Sequence, residues 1–217
     1  MTSKKKLIKP IINLNEIFSD DPVRMIRAVK CAAITGFSLP LNLKMKITSQ
    51  SNLLSSVSSS RLTEEIFKIV HSEKAAAITD LLDKMGLYAY LQPEAASLMR
   101  KDPNFKKSYL QRMEKLKDGE TFRGQALGTL FYDYLETINE WKPCQIENYK
   151  EIFKTARAFV LPMNPPRFEM DHSLKKFLAN HNITIKKILP KPLVEGEGKP
   201  KKRRKRKRKK KTSPTID

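Results

Sequence analysis

Apolar residues recur at three- and four-residue intervals along most of this chain. The clearest stretch is SDDPVRMIRAVKCAAITGF, residues 19–37. Here Val23, Ile26, Val29 and Ala33 fall on one helical face. Asp20 or Asp21 can cap the helix, and Pro22 suits its first position, where no N–H is needed. Gly36 then fits a left-handed cap.

The same signals repeat downstream. SLPLNLKMKITSQSNLL predicts a short loop and a second helix. VSSSRLTEEIFKIV combines a serine cap, glutamates in the first turn, and Leu62, Ile66, Ile69 and Val70 on one face. EKAAAITDLLDKMG predicts a helix closed by Gly86, and LYAYLQPEAASLMR shorter helical pieces. TFRGQALGTLFYDYLETINEW predicts a long core helix, with Phe122, Leu127, Leu130, Phe131 and Leu135 available for packing. ENYKEIFKTARAFVLP predicts another, stopped before Pro162. MNPPRF reads as a turn and DHSLKKFLANHN as a short final helix starting at Asp171-His172. Before all of these, LIKPIINLNEIF is β-branched and broken by Pro10, an extended entry segment or an edge strand. The expected fold class is all-α.

Charge changes that picture at one end. Net charge over 217 residues is +20, and twelve of the thirteen residues from Lys199 to Lys211 are Lys or Arg, leaving +8 on the rest. KILPKPLVEGEGKP is a linker by composition, and the block after it is too polar to bury anything, so 190–217 is expected to be a disordered basic tail. Lys201, Lys202, Arg203, Arg204, Lys205, Arg206, Lys207 and Arg208 are its candidate RNA-phosphate contacts; a solubility or localisation tail is the plainer alternative. Cys31 and Cys144 form no spacing framework and read as small buried hydrophobes in a reducing compartment. No apolar run approaches the roughly 20 residues of a membrane span, and MTSKKKLIKPII is no convincing leader, so a cytoplasmic protein without a membrane partner is expected.

Catalytic constellations are missing. The chain contains no Gly-Ser dipeptide, no Asp-x-Asp and no Gly-x-Gly-x-x-Gly. Asp80 and Asp83 read as an exposed acidic pair beside Lys74 and Lys84, and His71, His172 and His181 lack metal-ligand spacing, so no metal site is expected. The candidate chemistry lies in the opening stretch. Positions three apart share a helical edge, which lines up Asp21, Arg24 and Arg27. A carboxylate beside a guanidinium can read a base edge, the acid accepting from an exocyclic amine and the arginine donating to a ring nitrogen. Arg27 would orient the pair or touch phosphate. Residue types alone favour the alternative, a capped helix with surface ion pairs.

That stretch resembles the segment that opens the neck domain in the bacterial poly(A) polymerase and CCA-adding tRNA nucleotidyltransferase family, where Glu-Asp-x-x-Arg runs into an Arg-Ala helix. Asp21 and Arg24 fall on the family's base-reading acid and arginine, Asp20 replaces the usual Glu, and Lys30-Cys31 replaces the more usual Arg-Phe. VSSSRLTEEIFKIV, with Arg61 and Glu65, resembles the motif that buttresses the neck helix, and GLYAYLQPE fits the usual continuation. The resemblance implies a link from a catalytic head over 1–18, a neck over 19–95, a helical body over 96–189, and linker and tail over 190–217. The basic tail is more like the poly(A) polymerase branch.

The resemblance further implies ATP-dependent 3′ polyadenylation of RNA, at the 3′ end of an mRNA or tRNA. The family's ATP- and Mg-binding site belongs to a head upstream of this motif. The chain therefore reads as a truncated or headless part, inactive without a head supplied upstream or as a separate polypeptide, and with no cofactor of its own. A CCA-adding fragment, a non-catalytic RNA-binding adaptor, and a ribosome- or nucleoid-associated basic protein remain alternatives.

Overall fold

A computed structural model describes residues 6–11, 13, 16–115, 123–138 and 146–183. All regular structure among the described residues is helical, apart from one isolated parallel bridge between Leu7 and Ser38. Among its described residues the entry segment is therefore not a sheet edge: it makes one isolated bridge, at Leu7, and the short helix α1 (Ile17–Asp20) beyond it buries Ile17 and Phe18.

Helix α2 (Val23–Thr35) starts one residue later than its proline predicted. Asp21 Oδ1 accepts from the Val23 backbone N–H at 3.2 Å, so the acid satisfies one of the orphan donors at the helix start. At the other end Gly36 has φ +71° and donates its N–H to Ala32 O, the left-handed termination that glycine permits. Val23, Ile26 and Val29 are fully buried, as the spacing predicted. The next segment divides into α3 (Leu41–Gln50) and a 3₁₀ turn over Ser51–Ser56. In α4 (Ser59–Val70), Leu62, Ile66, Ile69 and Val70 all point inward, although Ser58 caps with no side-chain hydrogen bond.

Helix α5 (Ala75–Lys84) is closed by Gly86 at φ +74°, and α6 (Tyr88–Leu91) and α7 (Pro93–Lys101) follow. Helix α8 (Pro103–Glu114) is an element that the apolar pattern did not single out. Its signals are ordinary: Asp102 accepts from Asn104 N at 2.8 Å, Pro103 takes the first position, and Phe105, Tyr109 and Met113 recur every four residues. Helices α9 (Arg123–Ile138) and α10 (Ile146–Phe159) match expectation, with Phe122 and Cys144 outside the described residues. Helix α11 (Arg167–Asn180) begins after Pro166, so Asp171 and His172 lie inside it rather than at its start. The two prolines before Arg167 set the boundary; the later Asp is an interior residue.

One hydrophobic core runs from Phe18 and Val29 through Tyr88 and Tyr109 to Leu130 and Phe177. The Tyr88 and Tyr109 hydroxyls meet at 2.8 Å, which satisfies two polar atoms buried together. The most extensive helix–helix contact joins α9 to α11. There Tyr132 packs on Phe177 and donates its hydroxyl to Ser173 O at 2.7 Å. Gly128 lies one turn before Tyr132, and a Cβ there would sit 2.7 Å from the tyrosine hydroxyl oxygen.

Two further expectations are corrected. Cys31 is exposed, on the outer side of α2. Asp80 and Asp83 are no free acidic pair, because Lys106 of α8 bridges both at 2.9 and 3.0 Å and the Asp83 carboxyl is nearly buried. Residue spacing puts the acids on one face of α5, but only packing brings Lys106 to them. The basic tail lies outside the described residues.

Two outcomes test this packing. Gly128→Ala forces the Tyr132 ring out of its place against α11, and the expected loss is about 1–3 kcal/mol of unfolding free energy, read by urea denaturation. Glu169 behaves in the opposite way. It is 5% exposed and its Oε2 has no partner; burial pushes its pKa up, Arg123 opposes this and Glu64 adds to it. A raised folded-state pKa means that stability falls as pH rises through the ordinary carboxylate range. Glu169→Gln should therefore raise Tm at pH 7, by about 2–4 °C for about 1 kcal/mol, with the difference closing in acid. A lower Tm at pH 7 contradicts it.

Candidate nucleic-acid interface

The predicted edge exists, but its pairing differs from simple adjacency. Arg24 donates from Nη1 to Ile17 O at 3.1 Å and stands 3.8 Å from Asp20, not Asp21. Asp21 instead accepts from Arg61 Nη2 at 2.9 Å and lies 3.8 Å from Arg27. Arg27 turns its Nε and Nη2 to Glu65 Oε1, at 3.3 and 3.2 Å. The three predicted residues are thus drawn together at the start of α2, each fixed by a different partner. Arg61 and Glu65, one turn apart on α4, supply two of those partners.

Glu65 is the buried member: its side chain is 3% exposed, whereas Arg27 and Lys68 are half exposed. Lys68 Nζ adds a third hydrogen bond to the same oxygen at 2.9 Å. Burial by itself would raise the Glu65 pKa; the hydrogen bonds and charges of Lys68 and Arg27 outweigh it and hold the carboxyl below its ordinary value. A carboxylate kept ionised under α2 fixes the cations above it. Asp21, 18% exposed, keeps its carboxylate partly open beside α2's N-terminus, and Arg24 keeps Nε and Nη2 without a described hydrogen-bond partner. The edge therefore presents one anchored acceptor and one anchored donor.

The buttressing of the neck helix that the resemblance implied for Arg61 and Glu65 takes a particular form: Arg61 reaches Asp21 across forty residues, a pairing that helical periodicity cannot show. One feature escaped sequence reasoning: on α3, Leu41 and Met45 are strongly exposed, one turn apart and beside Lys44 and Lys46. The acids do not fit a magnesium site: Asp80 and Asp83 are already bridged by Lys106, with Lys84 also on Asp80. No group of three His, Cys, Asp or Glu side chains among the described residues is arranged to hold a metal ion. No described helix is long and apolar enough to cross a membrane.

Residues 36–99 match the family model described as "Probable RNA and SrmB- binding site of polymerase A". The chain is 35% identical over 88 residues to a CCA-adding enzyme of Geobacillus thermodenitrificans, covering 41% of this chain and 22% of that protein. A CCA-adding enzyme of Geobacillus kaustophilus is 32% identical over 114 residues, 52% of this chain and 28% of its own length. One from Listeria innocua is 32% identical over 88 residues, 41% and 22%. The chain spans about a quarter of the length of these curated relatives. The findings support a relation to the poly(A) polymerase and CCA-adding family and to its RNA-binding segment.

Glu65→Gln removes the charge under Arg27 and Lys68. Hydrogen bonds to a charged group contribute about 1.5–3 kcal/mol, and a loss of that order is expected at pH 7. Because the folded-state pKa is lowered, the contribution is present above the ordinary carboxylate pKa and disappears as pH falls through the folded one. Tm values of the variant and the parent should converge in acid. Parallel curves down to low pH would show that the carboxylate carries no such coupling.

Proposed function

We propose that this chain is the RNA-holding, nucleotide-reading part of a poly(A) polymerase, which acts in ATP-dependent 3′ polyadenylation together with a nucleotidyltransferase head. The observation that carries this reading is the match of residues 36–99 to the family model described as a probable RNA-binding site of polymerase A, which begins twelve residues after Arg24 of the anchored edge. The proposed neck spans 19–95, the body 96–189 and the linker with its tail 190–217.

In this reading the Asp21 carboxylate, held by Val23 N–H and Arg61, accepts from the exocyclic amine of adenine. Arg24, held by Ile17 O, donates to the ring nitrogen beside that amine. Arg27 orients rather than reads, since two of its nitrogens face Glu65. The edge selects a base and positions it; the triphosphate, its magnesium and the transfer itself belong to the head. Lys201–Arg208 lie outside the described residues; with the rest of the basic block they hold RNA phosphates by charge. The proposed setting is the cytoplasm.

A second reading, a part of a CCA-adding enzyme acting on tRNA 3′ ends, is favoured by the curated relatives, which bear that name. The two separate on products: with a head supplied, poly(A) synthesis extends RNA on ATP alone, whereas CCA addition needs CTP and stops after a fixed length.

Arg24→Ala in the head-supplemented enzyme should lose its preference for ATP while RNA affinity stays unchanged. Equal loss of RNA binding with unaltered nucleotide choice would make Arg24 a surface residue. Deleting 199–211 should flatten the salt dependence of RNA binding by about 0.7 in log–log slope for each phosphate that the tail neutralises. An unchanged slope would remove the tail from the interface.

A further inference from the structure

Past its base-reading start, α2 meets α4 across an open cleft of about 340 Å³. Arg27, Lys30, Cys31 and Ile34 line it from α2, at spacings of three and four, and Glu65 and Lys68 line it from α4. Three of these side chains are cationic and one is acidic. Glu65 gives a single oxygen, Oε1, to both Arg27 and Lys68, and its Oε2 accepts no described hydrogen bond. Among the described residues, the ion pairs of this region join Arg27, Arg61 and Lys68 to Asp21 and Glu65 and leave Lys30 out. No Asp or Glu occurs over residues 22–63 to offset Lys30 locally. The lining therefore keeps positive charge that its own acid does not neutralise. It also carries apolar surface in water: Ile34 is 42% exposed, and Cys31 beside it is exposed.

We infer that the α2–α4 cleft binds one ribonucleotide, with its phosphate beside Lys30 and Lys68, a ribose hydroxyl on Glu65 Oε2, and its base against Ile34 and Cys31. Each part of that ligand answers one feature of the lining. The excess cations call for a phosphate. An ionised carboxylate with one oxygen engaged accepts a hydroxyl donor on the other, and the 2′-hydroxyl is the donor that RNA has and DNA lacks. The exposed aliphatic side chain takes the face of a base without reading its edge. A bare inorganic anion would leave both Ile34 and Glu65 Oε2 unused. The cleft therefore tells ribose from deoxyribose, not one base from another. Cys31 follows Arg24 by seven residues, about 10 Å along the helix axis. The inference rests on the reading of the chain as RNA-holding, and adds to it a second nucleotide subsite beside the proposed base-reading edge.

Cys31 supplies a reporter inside the cleft. The test is alkylation of the full chain by iodoacetamide, followed at the Cys31 peptide by mass spectrometry so that Cys144 is read separately. It is run with AMP, dAMP, an oligo(A) RNA strand and the DNA strand of the same sequence and length. Protection is the ratio of the Cys31 rates without and with ligand, so a change in the thiol's own reactivity cancels. A ribonucleotide should protect Cys31, and its deoxy counterpart should need about fivefold more for the same protection. Protection by the RNA strand alone places a residue of a strand in the cleft; protection by AMP places a free nucleotide there as well. Lys30→Gln should raise the half-protecting concentration about fivefold and leave Tm unchanged, because Lys30 holds no described ion pair. Equal protection by ribo and deoxy forms, no protection by either AMP or the RNA strand, or an unchanged value for Lys30→Gln overturns the inference. The two readings fail separately: nucleotide preference of the head-supplemented enzyme reports on Asp21 and Arg24, whereas protection of Cys31 reports on the cleft.

Discussion

The carboxylate of Glu65 is the tie on which the start of α2 depends. It sits 3% exposed beneath α2 and receives hydrogen bonds from Arg27 and Lys68, which themselves remain half in water. A charge in that position is tolerable only when compensated. The compensation sets the direction of Arg27, and Arg61, one turn earlier on the same helix, then takes Asp21. Two residues of α4 therefore decide which way the start of α2 faces. Without them the acid and arginines at residues 21–27 would be a loose surface cluster, free to pair in several ways.

Farther along the chain the organising contact is apolar. Gly128 leaves room for the Tyr132 ring to lie close along α9, and the ring in turn reaches Ser173 and Phe177 of α11. This seats α11 firmly on its inner face. Nearby, Asp133 is buried and paired with Arg112 at 2.7 Å, and Ser108 of α8 donates to it as well, so α8 and α9 are joined by a satisfied polar cluster rather than an orphaned charge. Glu169 is the exception. It is buried near Glu64 and Arg123 with one oxygen unpartnered, and its raised pKa reflects that poor accommodation.

These two arrangements differ in kind. At the α2–α4 edge each donor and acceptor is held by a neighbouring side chain or backbone group, so its order comes from paired polarity, whereas the α9–α11 contact is made by rings and a glycine that lets them approach.

Helix content, the termini at Gly36 and Gly86, and the buried faces of α2 and α4 follow from local chemistry, and residue order by itself determined them. Periodicity, glycine's access to positive φ and the placement of proline act within a few residues, so no distant partner is needed to read them. The signals of α8 are equally local, in Asp102, Pro103 and the Phe105–Tyr109–Met113 spacing. The kinship signal, which the family model finds over residues 36–99, was legible too, because it resides in residue order. Contacts between distant segments were not. Arg61 meets Asp21 across forty residues, Lys106 bridges Asp80 and Asp83 from another helix, and Cys31 faces water although Ala32 and Ala33 follow it. Helical spacing says which residues share a face, but only packing decides whether that face meets solvent, a core, or an opposite charge.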